Sequence, residues 1–201
     1  MTSASPIASP LTENDRWLLS FYRSSEIDGA VFFGKVAETV RSGQLGADVA
    51  QHFADEAKHA AIWTRCLLDL DVEPLRIRRS YQSQYFEAVG APANLMEVLA
   101  ITQVFEKRVI GQYRRQLHHA ATHPRVRAAL DEIMDDERWH LQYVRRALGA
   151  MRERHGAERV ATTLGRYARA DEEVYARTLA EYGDRMAFLE DDLPTGSRNR
   201  S

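Results

Sequence analysis

"ADEAKHAAIW", residues 54–63, lies in a stretch whose apolar residues recur every three or four positions, and it sets Glu56 and His59 on the same stripe as Phe53, Ala60 and Trp63. The period is that of an amphipathic helix. A carboxylate and an imidazole three residues apart project from one helical face about a turn from each other, so both can address a single ion. "DDERWHLQYV", residues 135–144, repeats the pattern with Asp136, Glu137 and His140. One Glu-x-x-His arises readily by chance; two, each preceded by Asp and each on an apolar stripe, do not.

Working outward, Glu26 stands thirty residues before Glu56 and Glu106 thirty-one before Glu137, each a lone acid in an apolar stripe. The first stripe, Leu19, Tyr22, Glu26, Ala30 and Phe33, opens after Thr12 with Asp15 three residues on and ends near Gly43. The second follows Gly46 and runs through Val49, Phe53, Glu56, Ala60, Trp63 and Leu67 to about Asp71. Residues 72–93 form a long connection with a short helix around "YQSQYFEAV". A third helix begins at Asn94 with Glu97 as its capping partner, and a fourth at Pro124, a favoured first-turn residue. A fifth stretch covers roughly 157–190 and is loosened near Gly165.

No strand alternation competes. Two helical pairs joined by one long crossover have the connectivity of a ferritin-like bundle, so the predicted fold is all-α: a ferritin-like four-helix bundle with one long crossover and an additional C-terminal helix. The domain spans 11–190, between disordered tails at 1–10 and 191–201 that are rich in Ser, Pro, Thr and Gly.

Composition sets the remaining bounds. The 201 residues carry a formal charge of −2, which gives no global field for nucleic acid or anionic lipid. Cys66 is the single cysteine, so a disulfide, a thiolate zinc cluster and a rubredoxin-type iron site are all excluded within this chain. No leader or apolar span is evident, and a cytoplasmic location is expected.

Four carboxylates and two imidazoles facing one apolar interior destabilise a fold unless something neutralises them, because each buried unpaired charge costs several kcal/mol. No Lys or Arg occupies a matching stripe position. Two divalent cations balance four carboxylates, and mixed oxygen and imidazole donors suit iron or manganese.

The two "D-E-x-x-H" segments, "DEAKH" and "DERWH", each with its upstream glutamate, resemble the non-haem di-iron carboxylate proteins of the ferritin-like superfamily over about residues 12–152. The resemblance implies Glu26, Glu56, His59, Glu106, Glu137 and His140 as metal ligands and catalytic residues, with Glu56 and Glu137 bridging. Asp55 and Asp136 would orient a histidine. Tyr22, one turn before Glu26, is a candidate to hydrogen-bond a ligand. His52, one turn before Glu56, is expected beside the site or partly exposed, with direct ligation as the alternative.

Within the superfamily, rubrerythrins are similar but carry a further ligand glutamate three residues after the third-helix acid, where this chain has Val109; rubrerythrin-type peroxidase is therefore disfavoured. Many di-iron oxygenases carry a threonine one turn after that acid; here it is Ile110, with Thr102 a turn before. Aldehyde-deformylating oxygenases and a bacterial tRNA hydroxylase are also similar. The expected function is an O2-dependent di-iron oxygenase or oxidase acting on a small, largely apolar molecule. It would use two Fe, with Mn/Fe open, and an external ferredoxin or reductase. Ferroxidase or iron storage is the alternative. A tRNA-modifying hydroxylase is the further one, in which "RIRRS" and "QYRRQLHHAATHPRVR" would meet phosphates. No membrane partner is expected, and a homodimer is left open.

Overall fold

The computed structural model describes residues 11–186. It is all-helical over that range: α1 (Glu13–Thr39), α2 (Gly43–Asp69), α3 (Tyr81–Val89), α4 (Leu95–His118), α5 (Pro124–His155) and α6 (Ala157–Met186). The terminal segments expected to be disordered lie outside the described residues. No described helix is long and apolar enough to cross a membrane.

The expected caps form. Thr12 Oγ1 accepts from the Asp15 backbone N–H at 3.1 Å while Asp15 accepts from the Thr12 N–H at 2.8 Å, a reciprocal capping box. Asn94 caps α4 through the Glu97 N–H, and Glu97 reaches one residue further back, to the Ala93 N–H. The α1–α2 turn is tighter than the spacing suggested: α1 stops at Thr39, and α2 starts at Gly43, three residues before Gly46. A Cβ on Gly46 would lie 2.9 Å from the Arg41 carbonyl carbon, so Gly46 permits close passage of the turn inside the helix.

The hairpins α1–α2 and α4–α5 are joined by the crossover that carries α3, and α6 packs on α4, α5 and α1. α6 runs unbroken through Gly165, contrary to the expected loosening. A lone glycine costs only about 1 kcal/mol in a helix, and Val160, Tyr167 and Val174 are all fully buried along the packed face. Buried Asp171 fastens α6: Tyr81 donates to Oδ1 at 2.7 Å and Arg108 Nε to Oδ2 at 2.6 Å.

Apolar clusters fill both ends of the bundle. Trp17, Leu18, Trp63, Leu67, Leu130 and Ile133 pack at one end; Leu99, Tyr143, Val144 and Leu148 pack towards the other. The six predicted ligands fall between them, near the middle of α1, α2, α4 and α5. Across this level α1 and α4 do not pack on each other among the described residues, and the gap between them is a cavity.

Candidate metal centre

All six predicted ligands are buried. The helices bring their donor atoms together in two overlapping groups. Glu26, Glu56 and His59 form one, and His52, Glu56, Glu106 and His140 the other, with donor atoms in each group within 4.8 Å of one another. Glu56 belongs to both. Glu137 stands between the histidines: Oε1 is 3.3 Å from His59 Nδ1, and Oε2 is 3.5 Å from His140 Nδ1.

Each histidine is held from behind by the aspartate of the opposite motif. His59 Nε2–H donates to Asp136 at 3.2 Å, and His140 Nε2–H donates to Asp55 at 3.3 Å. Asp55 also accepts from Gln51, and Asp136 from Lys58. Burial raises Asp136, but the hydrogen bonds from Lys58 and His59 outweigh it and hold the carboxyl below its ordinary value. With the proton fixed on Nε2, each ring turns its Nδ1 lone pair to the centre, where both Nδ1 atoms are buried without a hydrogen-bond partner. Two orphaned imidazole nitrogens facing carboxylate oxygens at 3.3–3.7 Å fit a pair of divalent cations.

Without cations, protons must do the neutralising. Burial, then repulsion from neighbouring carboxylates, lifts Glu56 and Glu106 well above the usual range. Glu137 goes the other way: burial opposes its charge, yet the imidazoles of His140 and His59 facing its two oxygens hold it well below. Burial alone would lower His59, but Glu137 and Glu26 push it up to about 12. His52, deprived of solvent and next to His140, is pushed well down.

Several residues depart from expectation. Phe53 is 42% exposed, and His52, fully buried, takes its place on the inward face. The α2 stripe is thus Val49, His52, Glu56, His59, Trp63: spacings of three and four that choose His52 over Phe53. Tyr22 does not reach a ligand. Its ring packs against Trp63 and Tyr113 with centroids 5.3 and 5.0 Å away, and its hydroxyl has no partner. Tyr113 of α4 instead donates to Glu26 Oε1, and Trp63 donates to the Tyr113 oxygen at 3.3 Å. Gly29 was not anticipated. A Cβ there would lie 2.1 Å from Glu56 Oε2, so the bare α1 backbone makes room for that carboxylate. A glycine three residues after a stripe acid was the available signal.

The cavity holds about 100 Å³ and is bordered by Glu26, Glu56, Glu106 and Glu137 on the site side. Its other walls include Phe21, Phe32, Phe33, Phe105 and Val109, with Thr102 and Gln112 among the polar ones. Thr102 donates its hydroxyl proton to the Val98 carbonyl at 2.8 Å. Tyr113 lines it as well.

No curated protein and no solved structure matches the chain. A family model described as rubrerythrin matches residues 18–148, a span that contains both Glu-x-x-His motifs, both upstream glutamates and Val109. Val109 and the lone Cys66 are therefore departures within that family and do not stand outside it. With the match covering well over half of its length, the chain belongs to the rubrerythrin family, a ferritin-like di-iron family.

Proposed function

We propose that the chain is an O2-dependent di-iron oxidoreductase that acts on a small, largely apolar organic molecule, with Glu26, Glu56, His59, Glu106, Glu137 and His140 holding the two metals. The observation that carries this reading is the cavity, whose aromatic walls end directly on four of those carboxylates. About 100 Å³ is somewhat less than the ~150 Å³ cavity that accepts benzene in an engineered protein core, which limits the substrate to a small body or a chain end.

When bound, two irons supply reductive activation of dioxygen. The remaining work belongs to the side chains. Phe21, Phe32, Phe33 and Phe105 keep water from the reacting face and seat the apolar part of the substrate. Val109, where a further carboxylate would make the wall polar, keeps it dry. Tyr113 holds a proton at Glu26 Oε1, and Asp55 and Asp136 hold the protons at Nε2 of His140 and His59, so that both Nδ1 atoms stay available. Inserting one oxygen atom into a C–H bond while the second leaves as water takes two electrons and two protons from outside, and with a single cysteine those electrons fall to a separate reductase or ferredoxin.

Iron itself as substrate is the second reading, favoured by the same four carboxylates facing one cavity. A transfer-RNA substrate draws less support: Arg79 pairs with Glu87, and Arg127 donates to the carbonyls of Leu117 at the end of α4 and of Thr122 in the turn that follows. Oxygen uptake by anaerobically iron-loaded protein, with oligomer size measured on the same sample, separates the first two. Uptake that stops at the two bound irons in a small oligomer, and resumes only with reductant and an organic substrate, is expected. Continued iron oxidation far beyond two per chain in a large assembly overturns the oxygenase reading. Rapid turnover of hydrogen peroxide with reductant, and none of dioxygen, overturns it in favour of a peroxidase.

A further inference from the structure

His52 is wholly buried one turn before Glu56, and no role in the six-ligand set uses it. Its Nε2 is 2.9 Å from Glu56 Oε1 and 3.2 Å from Glu106 Oε1, and its Nδ1 is 2.8 Å from the Tyr143 hydroxyl. Phe33 and His140 each stack on the ring with centroids 3.6 Å away, at 20° and 13° between planes. Two near-parallel imidazoles this close cannot both aim an in-plane lone pair at one cation. A metal about 2.1 Å from both nitrogens would lie far out of both ring planes. His140 presents its orphaned Nδ1, which leaves His52 to serve the carboxylates.

Tyr143 fixes how it does so. Glu56 and Glu106, ionised as metal ligands, can only accept, so the neutral ring carries its proton on Nε2 and offers it to the two facing Oε1 atoms, and the Tyr143 phenol donates to Nδ1. The rest of the centre is nearly symmetric, with paired Asp-Glu-x-x-His motifs and crossed aspartates, but this feature is not duplicated. Four residues before Glu137 stands Ile133, and the Glu26 carboxylate is held by the Tyr113 phenol. The two metal positions therefore differ in their supports.

Resting on the six-ligand reading above, we infer that His52, oriented by Tyr143, is a positioning residue that clamps Glu56 and Glu106 together and sets the affinity of the metal position at Glu106 and His140. The probe is cobalt(II), titrated into metal-free protein against a chelator and followed by its absorption and by X-ray absorption. The wild-type chain binds two cobalts with one imidazole nitrogen each. His52→Phe, which keeps an aromatic ring in the stack, holds one cobalt at wild-type affinity and the second about 10- to 100-fold more weakly. His52→Gln, which returns an N–H near the Nε2 position, restores most of that loss. Tyr143→Phe weakens the same position to a smaller extent. Wild-type affinity at both positions in His52→Phe overturns the inference, as does a third imidazole nitrogen in the wild-type spectrum, which would make His52 a ligand. Should His52→Phe fail to fold, Tyr143→Phe decides, since it removes one oxygen, and an unchanged second affinity there overturns the inference. A wild-type chain that binds no cobalt instead fails the six-ligand reading itself.

Discussion

Gly29 of α1 faces Glu56 of α2, whose carboxylate fills the space a side chain on Gly29 would take. Gly29→Ala is expected to leave the helical content unchanged, because the clashing group is the end of a flexible side chain, and to weaken metal binding at least about tenfold by turning a shared ligand aside. Circular dichroism with a chelator competition checks both halves. Asp55→Asn trades a charged acceptor for an amide behind His140 and should cost about 10- to 100-fold in metal affinity, read by the same competition. Part of this was legible in the sequence. Spacing put Glu56 with His59 and Glu137 with His140 on common faces, and their burial follows. Spacing could not say which histidine each aspartate would hold. Asp55 lies about 100° around α2 from Glu56, so its partner is decided by where α5 stands, and it meets the far motif's His140. Tyr22 failed for a related reason: a turn's separation from Glu26 gives proximity, but aromatic packing against Trp63 and Tyr113 sets the direction of its hydroxyl.

The elements follow from local chemistry more completely than the contacts between them do. The capping residues Thr12 and Asn94 and the first-turn Pro124 mark the starts of α1, α4 and α5, and the short helix inside the crossover forms as α3 over Tyr81–Val89. Gly43, Gly46 and Gly165 were harder, since a glycine marks either a break or a close approach. Gly46 serves close passage inside α2, and Gly165 sits in a helix that its packed face carries through. Phe53 shows the limit of a stripe drawn from hydropathy alone, because a buried histidine at the neighbouring position fits the period equally well. The apolar ends of the bundle and the polar middle separate stability from function. Leu130→Ala, at a fully buried site in the larger cluster, should lower unfolding free energy by about 2–5 kcal/mol while the metal stoichiometry stays at the wild-type value. Chemical denaturation and metal analysis on one preparation check it.

For the whole molecule, the buried acids make stability depend on metal and pH together. In the metal-free chain Glu56 and Glu106 are raised, so the stability present while they are protonated is lost as pH climbs past their unfolded values. His59 and His140 are raised as well, and what their protonation contributes fades as pH rises above about 6.5. The lowered groups run opposite, but Glu137 and His52 have given all they contribute once pH exceeds their unfolded values. From about pH 6.5 to 9 every remaining shift therefore lowers metal-free stability. Bound cations replace those protons, so the gap in Tm between metal-loaded and metal-free protein should widen across that window, measured by scanning calorimetry with and without chelator.

The most direct test of the centre is anaerobic titration of iron(II) into metal-free chain, followed by gel filtration and metal analysis, beside Glu137→Ala. The six-ligand arrangement predicts two irons retained per wild-type chain and loss of both from the variant, since Glu137 turns an oxygen to each histidine. One iron or none retained by the wild type, or two retained by the variant, contradicts it.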